Sequence, residues 1–402
     1  MYPQPSFCPN LDCASRGVLG AGNLRVHHSL RNRWRCRVCN KTFSGRKGTP
    51  FYGLKTDETI VILVVTLLAF GCPLPAIVQA FGLDERTVAC WQQRAGQHCQ
   101  KVHEALVQQP QDLAHVQADE IRVRCQKRLV IWLAMALCVS TRLWLGGVVS
   151  QNRDKHLARA LAKKVRACAG LGALLLVTDG WSAYREAFVK AFRSALRLGQ
   201  PGRPPLLCWP AFVLAQTVKW QQAGRTIGVK VCHLFGNWQQ IAGLLPAGQV
   251  LSTAYIERLN ATFRQRLAGL CRRTRCLLRS EATLSAGMYL VGTVYNFCTA
   301  HHSLWQQAQA RTPAMAAGLT GHIWSVGELL CYVVTPPPYV APKRRGRKPR
   351  NAGLQTQKGA TQLVTVSCGA AEMALQSKIL LLLLLQPTSI AHMDLRFSAM
   401  PL

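Results

Sequence analysis

Carboxylates are scarce in this chain. Its 402 residues include 17 Asp and Glu against 49 Lys and Arg, for a formal net charge of +32. Self-repulsion on that scale calls for a polyanionic partner. Double-stranded DNA is the expected one, and an anionic membrane surface is the alternative. Long apolar runs are also missing. The longest, Thr59–Phe70 and Ile379–Leu385, fall well short of the roughly 20 residues that span a bilayer, so no membrane span is expected. The opening Met1-Tyr-Pro-Gln-Pro5 has neither the basic nor the apolar region of a secretory leader. The 17 cysteines are therefore read as reduced thiols or metal ligands in a cytoplasmic, nucleoid-associated protein. What is present is an apolar fraction of 49% and enough length for two or three domains around a sizeable core.

Two cysteine pairs, Cys8/Cys13 and Cys36/Cys39, bracket a polar, turn-rich segment at the start of the chain. That spacing predicts a zinc ribbon over residues 1–50, with four thiolates around one structural Zn²⁺; four unrelated free cysteines are the alternative. His27 and His28 are possible substitute ligands. The basic residues around Trp34 make the ribbon a DNA-docking candidate.

Residues 55–110 predict a helix-turn-helix. Thr59–Phe70 is a continuous apolar helix, Leu74–Phe81 a short one, Gly82-Leu83 the turn and Asp84 the N-cap of a longer helix from Glu85 to Cys99. Arg86, Thr87, Trp91 and Arg94 are the positions expected to contact DNA. A helical linker bundle without DNA contacts would give the same pattern.

Over residues 113–332 the period changes. His115–Ser150 reads as a three-stranded meander, Arg153–Ala169 as a helix, Gly172–Asp179 as a short buried strand, and Trp181–Leu198 as a second helix. This order describes an α/β domain with a mixed sheet. In Ser252–Leu267 the residues Ile256, Leu259, Phe263 and Leu267 make one apolar helical face, with Ser252 or Thr253 as cap. Glu257, Asn260 and Arg264 flank that face.

Between residues 101 and 340 the acids are Glu104, Asp112, Asp119, Glu120, Asp154, Asp179, Glu186, Glu257, Glu281 and Glu328. Asp119 within one strand, Asp179 at the end of another and Glu257 on a later helix form a set able to hold two divalent ions, Mg²⁺ or Mn²⁺, for phosphodiester chemistry. Glu120 follows Asp119 on a strand, so alternation admits only one of the two to the site. Taken alone, Glu257 is equally an ordinary first-turn acid favoured by the helix dipole.

The chain resembles insertion-sequence transposases of the DDE type. The pieces that carry the resemblance are Gln117-Ala-Asp119-Glu-Ile, Val177-Thr-Asp179-Gly-Trp-Ser-Ala-Tyr184, Thr253-Ala-Tyr-Ile-Glu257-Arg-Leu-Asn260, Tyr295-Asn-Phe-Cys with His301-His302-Ser, and Arg311–Leu319. The order of ribbon, helix-turn-helix and core is similar as well. The resemblance implies an RNase H-like catalytic fold, with Asp119, Asp179 and Glu257 as catalytic metal ligands. It also implies Arg258, Asn260 and Arg264 beside the DNA strand, and a homodimer or higher oligomer holding two DNA ends. One departure is the long interval before Glu257, read as an insertion at about 199–250. His233 within it is expected to be a packed strand residue. A metal-dependent nuclease that cuts without joining, and a non-enzymatic DNA-binding regulator, remain as alternatives.

Pro336-Pro-Pro338 ends the fold, and a basic, largely disordered tail over 336–402 is expected to follow. Its Arg-Gly-Arg-Lys-Pro stretch resembles an AT-hook, with Arg345 and Arg347 able to enter a minor groove; a solvated basic linker is the other reading.

Overall fold

The second cysteine pair is built into a small antiparallel sheet, whose middle strand Cys36 itself ends: β1 (Leu24–His28), β2 (Arg33–Cys36) and β3 (Thr42–Ser44), in the order β1-β2-β3. β1 is mostly exposed, and the buried cluster of this piece is built on Cys8, Cys13 and Cys36, packed by Leu24 and Cys39. So little apolar material leaves the thiols at the centre of the ribbon. The computed structural model describes residues 5–341, except 127–128, 198, 200–201, 223–224, 246–249, 273–275 and 279. The chain divides into Met1–Ala341 and Pro342–Leu402. The second unit lies outside the described residues, and with it Arg345, Arg347 and nearly all of the expected tail.

Three helices follow: α1 (Glu58–Ala69), α2 (Leu74–Phe81) and α3 (Glu85–Leu106). Their ends are written in the sequence. Asp57 caps α1 through the amide of Thr59, and Gly82 closes α2 in the left-handed conformation at φ 60°. Asp84 Oδ1 accepts from the amides of Arg86 and Thr87 at 2.8 and 3.2 Å to start α3. Val88, Trp91, Ala95, Cys99 and Val102 form the buried stripe of α3.

The main sheet has six strands in the order β11-β10-β7-β4-β5-β6. β4 (Ala114–Arg124), β5 (Val130–Cys138) and β6 (Trp144–Ser150) are the expected antiparallel meander. α4 (Lys155–Cys168) leads to β7 (Leu174–Thr178), which returns parallel to β4, in register from Ala114↔Leu174 to Ala118↔Thr178. The helix after it, α5 (Ala183–Ala191), is shorter than the sequence suggested. Phe192 turns the chain into a small hairpin of β8 (Arg193–Ala195) and β9 (Leu206–Cys208).

The stretch expected as an insertion carries part of the sheet itself. β10 (Phe212–Gln222) lies parallel to β7, with Val213, Leu214 and Ala215 fully buried, and β11 (Arg225–Phe235) folds back on it as the edge strand. Continuous apolar Phe212–Ala215 is the pattern of a strand covered on both faces. His233 lies on β11 as expected but is exposed, edge-on to Trp238 at 5.3 Å, instead of packed.

α6 (Trp238–Leu244) and α7 (Ala254–Arg266) come next, then α8 (Glu281–Cys298), and finally α9 (Pro313–Ala316) and α10 (Val326–Cys331). α8 is buried along most of its length and joins the helical segment to the sheet. A Cβ on Gly96 of α3 would stand 2.3 Å from the Ala286 carbonyl oxygen of α8, and one on Gly292 would stand 2.3 Å from the Trp144 ring. Asn296, fully buried, accepts from the Trp144 amide and donates to its carbonyl oxygen, both at 2.9 Å. Residues of α1, α3, α8 and the sheet belong to one apolar core. No helix among the described residues is long and apolar enough to cross a membrane.

Candidate active site and metal centre

The pairing of β4 with β7 stops at Ala118↔Thr178. The next residue on each strand is an aspartate. Asp119 Oδ2 accepts from Asn260 Nδ2 of α7 at 2.8 Å, and Asp179 Oδ1 accepts from the Trp181 amide at 3.2 Å. Gln216 of β10 donates to the Asp179 carbonyl oxygen at 2.5 Å, which ties the end of β7 to its other neighbour.

Glu120 joins them, against the expectation that only one of the adjacent acids enters. Alternation itself holds: Asp119 is held from the α7 side, whereas Glu120 Oε2 accepts from Tyr184 Oη of α5 at 2.8 Å on the other. Beyond Thr178, however, β4 has lost its β7 neighbour, so the sheet is open on that side. Ligand oxygens of Asp119, Glu120 and Asp179 lie within 4.8 Å of one another. Arg153 serves two of the three: its Nε donates to Glu120 Oε1 at 2.7 Å, and its Nη2 stands 3.8 Å from Asp179 Oδ2. The guanidinium also lies 4.7 Å from the Trp181 ring.

Burial, with the neighbouring carboxylates, makes Asp119 and Asp179 hard to ionise. Burial, then the charges of Asp179, Glu120 and Glu257, push Asp119 up to about 7. Burial and then Glu120 push Asp179 up to about 6, against the Trp181 amide and Arg153. Three close carboxylates in such an environment are relieved by a cation, and an all-oxygen donor set suits Mg²⁺ or Mn²⁺. The residues present therefore fit a divalent ion.

Glu257 is placed differently. It opens into the same cleft, of about 350 Å³, whose lining includes Asp119, Asp179, Thr217, Lys219 and Thr253. Its carboxylate accepts from Lys219 Nζ at 2.5 Å and from Thr253 Oγ1 at 3.0 Å, and it stands outside the three-carboxylate group. Thr253 thus bonds Glu257 instead of capping α7. The cap comes from across the fold. Gln117 of β4, 1% exposed, accepts from the amides of Tyr255 and Ile256 at 3.0 Å each and donates to the Ser252 carbonyl oxygen at 2.6 Å. One side chain two residues from Asp119 therefore fixes the start of the Glu257 helix. Its trace in the sequence is a polar residue at a buried strand position, between Val116 and Ala118.

The residues expected at DNA divide. Arg86 and Arg258 are exposed, and Thr87 and Arg264 half-buried. Trp91 is 3% exposed within the core stripe, so it cannot reach a groove: the ring belongs to the apolar face of α3. Arg94 directs its guanidinium to the carbonyl oxygens of Pro50 and Tyr52, clamping the link after the ribbon. Asn260 is 2% exposed and serves Asp119 instead of lying beside a strand. Each correction has the same cause: helical spacing gives the face but not which neighbour covers it.

The cysteine quartet meets as the spacing predicts. All four sulfurs lie within 4.8 Å of one another, with Cys8–Cys39 and Cys13–Cys36 both at 3.8 Å. Thiolates about 2.3 Å from a tetrahedral Zn²⁺ stand about 3.8 Å apart, so the set fits zinc. Burial raises Cys8 and Cys13. In Cys39 burial is outweighed by the Lys41 amide, Asn10 and the neighbouring thiols, which bring it down to about 7. Asn23 Nδ2 donates to Cys36 Sγ at 3.1 Å. His27 and His28 are exposed on β1 and belong to no such group.

The chain thus has a mixed α/β fold, a carboxylate cluster fit for divalent metal and a four-cysteine cluster fit for zinc. No family model and no curated protein matches it. Among solved structures it is similar to a piggyBac transposase synaptic complex with hairpin DNA, at 12% identity over 71% of each chain and a TM-score of 0.32. A likeness that distant carries no argument.

Proposed function

We propose that this chain is a DNA transposase that binds the ends of a mobile element, hydrolyses a phosphodiester and joins the freed 3′ end to target DNA. The observation that carries the reading is the carboxylate group of Asp119, Glu120 and Asp179 where the parallel pairing of β4 and β7 ends, with Asp119 and Asp179 lining a cleft that Glu257 shares. The meander followed by two parallel returns supports an RNase H-like core over 113–332. The ribbon over 1–50 and the helix-turn-helix over 55–110 would dock duplex DNA, using Arg86 and Thr87, with Arg258 and Arg264 nearer the cut strand.

Two divalent ions bound here would clamp the attacking and leaving oxygens of an in-line displacement. The chain's part is to hold the donors. Asn260 orients Asp119, the Trp181 amide orients Asp179, and Arg153 with Tyr184 restrains Glu120. Water, then a DNA 3′-hydroxyl, is the nucleophile, so no protein nucleophile is required. Bringing two ends together calls for a homodimer or higher oligomer, and work on chromosomal DNA places it in the cytoplasm at the nucleoid.

Labelled end-sequence DNA incubated with the full chain and Mg²⁺ or Mn²⁺ tests this. Joined products are expected. Cleavage without joining would make it a nuclease, and binding without chemistry a regulator. Asp179→Ala should lower cleavage about a thousandfold, the equivalent of several kcal/mol of lost transition-state stabilisation. Cleavage that survives this change would remove the site from the mechanism.

A further inference from the structure

A second groove, of about 790 Å³, borders the end of β4 beyond the cleft. Arg122 and Arg124 of β4, Arg264 of α7 and Arg272 line it, and no acid is among the described lining residues. Arg122, Arg124 and Arg272 are exposed, and Leu129 and Leu277 add apolar surface that is 61% and 38% exposed. Glu281, at the start of α8, reaches Cys125 electrostatically from outside the lining.

The groove and the candidate active site draw on the same two elements, β4 and α7. Glu120, Arg122 and Arg124 alternate onto one face of β4, at roughly 3.3 Å per residue, so the arginines begin about 7 Å along the strand from Glu120. Arg264 connects from the other side. It lies on α7, the helix that carries Glu257 of the cleft, and itself lines the groove.

Four guanidiniums suit phosphates. Exposed leucines between them do not suit a duplex, whose bases are stacked away, but they do suit unstacked bases, which also lie on guanidinium planes. We propose that this groove holds a single-stranded segment of nucleic acid, with phosphates on Arg122, Arg124, Arg264 and Arg272 and bases against Leu129 and Leu277. The role of the segment as the strand leading to the cut rests on the transposase reading; its binding does not.

Fluorescence anisotropy of the full chain, without added magnesium, tests it on a labelled 15-nucleotide oligo-dT and a 15-base-pair duplex. Arg122→Ala with Arg124→Ala should weaken single-strand binding at least tenfold and flatten its log K against log salt by about 1.4, the loss of two phosphate contacts. Duplex binding should stay within about twofold. Leu129→Ser with Leu277→Ser, which keeps the charge, should weaken the single strand alone by about fivefold or more. Unchanged single-strand binding, or equal loss for both forms, would overturn the proposal. Magnesium-dependent cleavage measured alongside separates the two ideas. Arginine-dependent strand binding without wild-type cleavage sinks the transposase reading only, whereas cleavage with arginine-independent binding sinks this one only.

Discussion

The two candidate metal centres are built in opposite ways. The four thiols lie close along the chain, between Cys8 and Cys39, in a piece whose buried cluster consists of little else. The carboxylates come from β4, the end of β7 and the start of α7, across a sheet whose core is continuous with the helices. In the first, metal would stand in for an apolar core; in the second, an apolar core exists beside donors that could take metal. The thiol set should be a condition of local folding, and the carboxylate set a strain on a fold that exists without it.

The largest expected effect is on the ribbon. Removing zinc, or Cys36→Ser, should expose the amides of residues 7–44 to hydrogen exchange, since zinc binding in such sites supplies about 10–16 kcal/mol of folding free energy. The strands of the main sheet should keep their protection. Exchange that rises equally in both regions would erase the contrast.

The carboxylates should behave in the reverse sense. Asp119 and Asp179 have folded-state values near 7 and 6, above the ordinary value of 3.8. Their protonated forms are favoured in the folded state, so metal-free stability is present at pH 4 and lost as pH rises through about 7. Buried His98, His103 and His115 and half-buried His301, all lowered mainly by burial, push the other way, so the difference between wild type and variant is the informative quantity. At pH 8 without divalent metal, Asp119→Asn should raise Tm by about 2–4 °C, on the order of 1 kcal/mol, and the gain should vanish near pH 4. Magnesium should stabilise the wild type more at pH 8 than at pH 5. A metal-free Tm that falls in Asp119→Asn would mean that the acid is structural.

The smallest effect sharpens what ties the cleft together. Gln117→Met leaves the amides of Tyr255 and Ile256 without their partner, at a cost of about 1–3 kcal/mol in stability. Cleavage should fall about tenfold while duplex binding is kept. A lower Tm with unchanged cleavage would show that the position of Glu257 is immaterial.

Local chemistry was the legible part. The cap at Asp84, the turn at Gly82, the thiol spacing, the meander and the strand ending on Asp179 are all decided by near neighbours in sequence, and the structure carries each. What depends on distant chain was not legible. Phe212–Gln222 reads as an insertion until β7 lies beside it, Trp91 and Asn260 read as surface until a neighbour covers them, and Glu120 is excluded by alternation until β7 stops short. The cap of α7 comes from Gln117, far upstream, and no window around Ser252 could have contained it.

Helix α8 has a consequence for distance. Gly96 and Gly292 seat it against α3 and β6 with no room for a methyl group, and Asn296 bonds the backbone of Trp144 on both sides. A helical segment welded to the sheet in this way has no slack between them. On the proposed reading, duplex DNA gripped at α2 and α3 would therefore meet the carboxylates at one set number of base pairs from the grip, and the chain would act as a ruler as well as a cutter.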